Sequence, residues 1–388
     1  MVFLAGCGSL ERRQAVPEQD VQRAEIPGIP NARYWPLSDN APLVAEALAG
    51  IDREQAARRQ DGATGPLPPA VYLSISGGGD NGAFGAGLLN GWTAHGDRPQ
   101  FKVVTGISTG SLIAPFAFLG SDYDDELAAV YTSVTQEDIF NRRSMLSALT
   151  ADGLGDTTPL YKLIGNYVDA EFLARVAEEY RRGRFLFIGT TNLDAQQPVI
   201  WNMGAIAAAN TPESAALFHS IMLASASIPG AFSPVMIDVE VDGKHFQEMH
   251  VDGGTMAQVF LYPPAISNEM DARNLQGLRE RRAYIIRNAR LDANWSSVER
   301  STMTITGKAI ATLLQSQGFG DLYRIYLTTL EDGVDYNLAY IGSDFKAEHR
   351  EEFDAQYMRK LYDYAFDRAV AGYDWDKLPP GYKPAVKP

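Results

Sequence analysis

The sequence predicts an α/β fold with a mostly parallel central sheet and helices on both faces. Three observations carry that prediction: strand-length apolar runs alternate with helical segments, glycine-rich turns follow the first two strands, and 388 residues at 45% hydrophobic content can bury a large core. The first core strand is Ala70-Val71-Tyr72-Leu73-Ser74-Ile75-Ser76, closed by Gly77-Gly78-Gly79. Small and apolar residues then predict a helix over 82–92, a strand over 102–105 and an apolar helix over 111–119. Further strands are expected over 184–191, 198–202, 235–241, 245–251 and 283–287, with helices over 171–181 and 213–224 between them.

Both ends depart from this alternation. Residues 8–69 are rich in Pro, Gln, Arg and Ala, with Pro17, Pro27, Pro30 and Pro36 as breakers and one short helix over 42–59, and read as a tether and peripheral lead-in. Beyond residue 291, two long amphipathic segments, 295–314 and 349–371, flank the alternating run 334–341. They are expected to form a mainly helical extension packed on the main domain, with a Tyr and Phe stripe turned to the core. The expected division is therefore 1–69, 70–290 and 291–388.

Charge and cysteine usage narrow the function classes. A net charge of -14 argues against nucleic-acid binding and gives no general attraction to anionic lipid, so any membrane contact must be local. No stretch approaches the roughly 18–20 apolar residues of a spanning helix. The one cysteine, Cys7, rules out internal disulfides and thiolate metal sites. Its context, Leu4-Ala5-Gly6-Cys7, resembles the lipobox of bacterial lipoproteins, in which the cysteine receives lipid and becomes the mature N-terminus. That reading expects an envelope protein anchored to a membrane surface, with Gly8 after the cysteine implying outer-membrane sorting, and a leader segment ahead of Met1.

The chemistry concentrates in glycine-flanked turns. Gly106-Ile107-Ser108-Thr109-Gly110 follows an apolar strand and has the G-x-S-x-G form of a nucleophile elbow, a bend that holds a hydroxyl clear of a sheet. One strand earlier, Gly77-Gly78-Gly79-Asp80-Asn81-Gly82 satisfies the dinucleotide fingerprint G-x-G-x-x-G. That use needs an acidic residue ending the second strand, which here ends in Gly-Ile-Ser, and a phosphate-cradling loop needs a Lys-Ser or Lys-Thr pair that is absent. The remaining use of such a turn is to aim bare N–H groups at an oxyanion. Two turns on successive parallel strands emerge at one sheet edge, so nucleophile and donors become neighbours.

Together with Val251-Asp252-Gly253-Gly254 and the block Ala224-Ser225-Ala226-Ser227-Ile228-Pro229-Gly230-Ala231-Phe232-Ser233-Pro234, these motifs make the chain resemble patatin-like acyl hydrolases, from about residue 70 to residue 263. The resemblance implies a patatin-like three-layer sandwich, no cofactor and no metal. It implies Ser108 as nucleophile, Asp252 as its base, and the N–H groups of Gly78, Gly79 and Thr109 as the oxyanion hole, with Gly77, Gly82, Gly106, Gly110, Gly253 and Gly254 supporting the motifs. The expected substrate is a phospholipid or other acyl ester, cleaved by a phospholipase A or lysophospholipase type of serine hydrolase. Asn81 stands where the family often has Arg or Lys, and Gln258 and Pro263 replace the Asn-Pro that many members carry after the Asp-Gly-Gly element.

A carboxylate is a weak base for a serine hydroxyl unless it is desolvated. A conventional triad would need one of His95, His219, His245, His250 and His349. His349 fits the order Ser-Asp-His but begins a charged helix, whereas His250 shares the strand face of Asp252. No histidine pair has metal-ligand spacing and no acidic cluster suggests calcium. Two alternatives remain open: a carboxylesterase with a Ser-His-Asp triad, and a non-catalytic envelope lipoprotein.

Overall fold

The computed structural model describes residues 12–144, 151–273, 279–293 and 295–383, so Cys7 and its neighbours lie outside the described residues. Among those residues, twelve strands form two sheets. In chain order they are β1 (Arg33–Tyr34), β2 (Ala70–Ile75), β3 (Val103–Gly106), β4 (Asn141–Arg142), β5 (Gly153–Asp156) and β6 (Phe185–Asn192). Then follow β7 (Gln197–Asn202), β8 (Gly230–Phe232), β9 (Val235–Val241), β10 (Lys244–Asp252), β11 (Arg281–Arg290) and β12 (Asp335–Ile341). The main sheet runs β1-β7-β6-β3-β2-β11-β12, with β10 and β9 added on β6, while β4, β5 and β8 make a small second sheet. The pairings β6-β3-β2-β11-β12 are all parallel. This is the mostly parallel α/β sheet read from the sequence.

Helices cover both faces because the parallel strands are apolar on both. On β11, Ala283 and Ile285 join Leu322, Ile325 and Tyr326 on one side, whereas Ile286 and Tyr284 face the cluster that holds Phe84 and Leu88 on the other. All eight residues of β6 are buried, as a central strand requires. Helix α1 (Ala41–Gln60) lies on the first face, and α2 (Gly82–His95) and α3 (Thr109–Leu119) on the second. The C-terminal helix Ala355–Val370 seats on α2 so closely that a methyl group at Gly87 or Gly91 would strike the backbone of Tyr362 or Phe366. Its buried seam is Met358, Leu361, Ala365 and Ala369. The expected Tyr and Phe stripe flanks that seam, with Tyr357, Tyr362 and Tyr364 partly buried against the same core.

Two segments differ from expectation. Residues 12–35 are packed: Val16, Ala24, Ile26, Ile29 and Trp35 are buried, and β1 pairs with β7. Arg33 reaches from this segment into an ion pair with buried Glu248 on β10, which explains why a proline-rich stretch is held down. The segment 295–314, read as packed on the main domain, instead stands out from it. Its helix spans Thr302–Glu331, longer than the sheet is deep, and its apolar residues near the N-terminal end, such as Ile305 and Leu313, are exposed.

One feature of the topology positions the site. β3 pairs with β6 only as far as Gly106 opposite Ile188, where β3 bends away into α3. β10 takes the vacated flank of β6 in the opposite direction, ending with Asp252 opposite Thr190. The end of β10 therefore meets the bend that follows β3.

Candidate active site

Ser108 occupies that bend with φ 54° and ψ -126°, in the left-handed half of backbone space that a non-glycine residue seldom adopts. Its flanking glycines make the bend possible: a methyl at Gly106 would meet the Gly110 carbonyl, and one at Gly110 would meet the Ile75 carbonyl of the next strand. The expected helix start at residue 111 moves to Thr109, directly after the serine, so the first orphan N–H groups of α3 open beside Ser108. Three bonds hold the elbow. The Ser108 N–H donates to Ser225 Oγ at 3.0 Å, Ser225 Oγ donates to the Gly189 carbonyl at 2.7 Å, and Ser111 Oγ donates to the Ser108 carbonyl at 2.6 Å.

Asp252, buried like Ser108, closes β10. The Asp252 N–H donates to the Ser227 carbonyl at 2.9 Å, so the block 224–227 grips both residues. Its carboxylate accepts the Gly254 N–H at 2.7 Å, and the Ser108 hydroxyl stands close enough to favour its charged form. Burial pushes its pKa up to about 7, and the Ser108 hydroxyl and the Gly254 N–H only partly offset this. No cation contributes. A carboxylate of this kind is half ionised near neutral pH and is basic enough to take a proton there.

The glycine-rich turn runs alongside. A methyl at Gly77 would stand 3.1 Å from Ser108 Cβ, and a methyl at Gly78 would strike the Asn288 carbonyl. Gly79 needs glycine for its conformation, φ 59°, and its empty Cβ direction faces open space. The N–H groups of Gly78 and Gly79 have no acceptor among the described residues, whereas the Gly77 N–H is spent on the Gln258 carbonyl at 3.1 Å. Gly82 lets α2 close on Thr109 and Tyr131, Gly253 passes against the Gly189 carbonyl, and Gly254 lies against Gln258 and Asp252. Thr109 bonds Tyr131 through its hydroxyl at 2.6 Å, leaving its backbone N–H at the helix start.

The histidines are committed elsewhere. His250 Nε2 lies 3.0 Å from Glu248 Oε2 and its Nδ1 lies 2.9 Å from Thr190 Oγ1, so both ring nitrogens are engaged. Burial lowers its pKa despite Glu248, and the neutral ring donates through Nε2. His349 Nε2 bonds Asp80 Oδ2 at 2.6 Å, which raises the imidazole pKa although partial burial opposes it. His95 and His219 bond the carbonyls of Val370 and Val168, and His245 lies 4.0 Å from Glu240. None of these contacts reaches Ser108 or Asp252.

Several residues support the site in roles that the sequence reading did not assign. Ser225 anchors the elbow, and Gln258 joins the Asp252 loop to the glycine turn by bonding the Gly254 carbonyl at 2.9 Å. Asn288 holds the same turn by donating from Nδ2 to the Ser76 carbonyl at 2.9 Å and accepting the Gly85 N–H at 3.0 Å. Asp80 is clamped by His349 and the Phe353 N–H, and Asn81 accepts the Tyr357 hydroxyl at 2.6 Å. The position of the family's cation thus ties down the C-terminal helix. The 224–234 block pointed to Ser225, and the departures from the family's motifs marked Asn81 and Gln258, whereas Asn288 had no local signal. An apolar recess on the α1 face, lined by Leu43, Ile51, Phe185, Phe187 and Ile200, sits away from this chemistry, towards the strand starts. Among the described residues, no group of acidic, histidine or cysteine side chains could hold a metal.

No curated protein matches the chain. Among solved structures, VipD from Legionella pneumophila matches at 12% identity and a TM-score of 0.35, covering 80% of this chain and 67% of that one, a likeness too loose to bear on the site. The family model described as patatin-like phospholipase matches residues 73–264, a span that contains the glycine turn, the serine elbow, the 224–234 block and the Asp-Gly-Gly element. The chain therefore carries, over residues 73–264, a domain of the patatin-like phospholipase type, the domain of a family of lipid acyl hydrolases.

Proposed function

We infer that the protein is a serine hydrolase of the phospholipase A or lysophospholipase type, working through a Ser108–Asp252 dyad. As Ser108 Oγ attacks the acyl carbonyl carbon, its proton passes to the Asp252 carboxylate, and the carbonyl oxygen becomes an oxyanion facing the N–H groups of Gly78, Gly79 and Thr109. Collapse of the tetrahedral species expels the alcohol, which leaves with the proton held by Asp252. An acyl-Ser108 remains. Asp252 then takes a proton from water, the hydroxide adds to the acyl carbon, and as this second tetrahedral species collapses Asp252 returns the proton to Ser108 Oγ and the fatty acid is released.

One observation supports this reading above the rest: a buried carboxylate without a cation partner, its pKa pushed up to about 7, stands beside the hydroxyl of a strained elbow. The reading is tested by a fluorophosphonate probe, which should label Ser108 in the folded protein. Folded but unlabelled protein would refute it.

The lipobox-like Leu4-Ala5-Gly6-Cys7 supports a second element of the proposal, a lipid on Cys7 holding the enzyme at the cell envelope, on the periplasmic side of an outer membrane. Mass spectrometry of the native N-terminus tests it: an acylated cysteine is expected, and an unmodified Cys7 contradicts it.

A further inference from the structure

The helix Thr302–Glu331 runs back from the end of β11 to the start of β12, so its N-terminal end lies at the sheet edge that bears Ser108. Two bonds fix its height. Asp321 accepts the Gln258 N–H at 2.6 Å, and Gln258 in turn accepts the Gly77 N–H through its carbonyl, placing this part of the helix beside the glycine turn. Gln315 donates from Nε2 to the carbonyl of Arg290, the last residue of β11, at 2.9 Å. Residues 302–314 therefore stand beyond the sheet, an overhang of about 20 Å at 1.5 Å per residue.

This overhang is apolar where water should favour charge. Ile305, Ile310 and Leu313 are 52%, 42% and 68% exposed, and Trp295 and Val298 in the loop before the helix are 86% and 40% exposed. Ile305, Ala309 and Leu313 recur at four-residue steps and form one stripe with Ile310 beside it, while Thr304, Lys308 and Gln315 share the other side. Residues 301–320 contain a single charged side chain, Lys308, in a chain whose net charge is -14. Carboxylates that would resist burial in a lipid headgroup layer are thus absent from this stretch. The Lys308 ammonium bonds Ser296 Oγ at 2.8 Å, tying the loop that carries Trp295 to the helix.

We propose that the projecting half of this helix, with Ile305, Ile310 and Leu313 and the neighbouring Trp295, is a docking arm that inserts into a lipid–water interface and seats the Ser108 edge on it. The inference rests on the lipid-hydrolase reading for its choice of occupant. An acyl lipid resides in such an interface, and the arm rises from the edge where its ester bond would have to arrive. Exposed large aliphatic side chains gain by leaving water for the acyl boundary, and an exposed tryptophan suits the headgroup level of such an interface. The contact is local, so it does not depend on the net charge of the whole chain.

The test uses the full chain carrying Cys7→Ser and Ser108→Ala, which removes any acylation and leaves vesicles undigested. Sedimentation with phosphatidylcholine vesicles should show binding, and adding Ile305→Gln, Ile310→Gln and Leu313→Gln should weaken it at least about tenfold. Glutamine keeps helix propensity, and Leu313→Gln alone should give a smaller loss in the same direction. A parent chain that ignores vesicles, or a triple variant that binds as tightly as the parent, overturns the proposal. So does a parent that is a dimer by light scattering and that the triple variant turns into monomer, because the stripe would then belong to a second copy. In the Ser108 background, the triple variant should hydrolyse a soluble short-chain p-nitrophenyl ester as the parent does. If the parent itself hydrolyses no ester while the vesicle result stands, the catalytic reading fails and the docking arm survives.

Discussion

Glu248 and Asp252 stand four residues apart on β10, on the same face of the strand, and both are buried. Burial pushes both pKa values upward, yet the two end far apart. At Glu248 the charge of Arg33 and the hydrogen bonds from His250 and Arg33 overcome desolvation and hold the carboxyl at about 2. At Asp252 only a serine hydroxyl and one backbone N–H oppose desolvation, and the value rises to about 7. The same strand therefore carries an ion-paired carboxylate of lowered pKa at one point and a carboxylate of raised pKa, without a cation, at another. What separates them is the supply of cations, not depth in the protein.

The two carboxylates also tilt stability in opposite directions with pH. Glu248, depressed in the folded state, contributes stability that is present above its ordinary value near 4.5 and is lost as pH falls towards about 2. Asp252, raised in the folded state, binds its proton more tightly when folded. Its cost to the fold is absent below about 4, grows as pH rises to about 7, and is fully present above that.

Substitutions that break this contrast should have graded effects. Asp252→Asn removes the proposed proton acceptor and should lower kcat on a p-nitrophenyl ester by about 10²–10⁴-fold; a loss below tenfold would mean that another group is the base. Arg33→Ala strips Glu248 of its cation and leaves a buried charge behind, which should cost about 3–5 kcal/mol in denaturant unfolding. Its effect should fall on stability and leave the pH midpoint of turnover where it was. Asp252→Asn should also stabilise the inactive protein at pH 8, by on the order of 1–4 kcal/mol, because it deletes a charge that the fold holds at a cost. If the variant is instead less stable at pH 8, the carboxylate is better solvated than its burial implies. Ser225→Ala should be mildest: without its acceptor for the Ser108 N–H, the elbow loosens and kcat should fall about tenfold, with KM little changed.

The legibility of these features in the sequence follows the range of the interactions behind them. The parallel α/β sheet could be read because apolar runs and glycine turns are local, and strand 235–241 matches its expected bounds. Ser108 and Asp252 stand out for the same reason, each inside a short glycine-flanked motif. Periodicity assigns a residue to a face but does not name its partner. His250 shares a strand face with Asp252, as expected, yet its ring is taken by Glu248 and Thr190. The pairing of Glu248 with Arg33 spans 215 positions, and nothing in the lead-in marks Arg33 among its other arginines. The replacement of β3 by β10 along β6, which brings Asp252 to Ser108, is likewise a non-local event without a local signature. The projection of the helix Thr302–Glu331 could not be read either, because an amphipathic pattern is the same whether its apolar side meets a core or is left uncovered.

The central claim is that a cation-free buried carboxylate activates Ser108, and the pH dependence of fluorophosphonate labelling tests it most directly. The rate of Ser108 labelling should rise through a single ionisation near pH 7, vanish in Asp252→Asn, and persist when each histidine is replaced by alanine. A midpoint near pH 4, or a histidine variant as silent as Asp252→Asn, would contradict it.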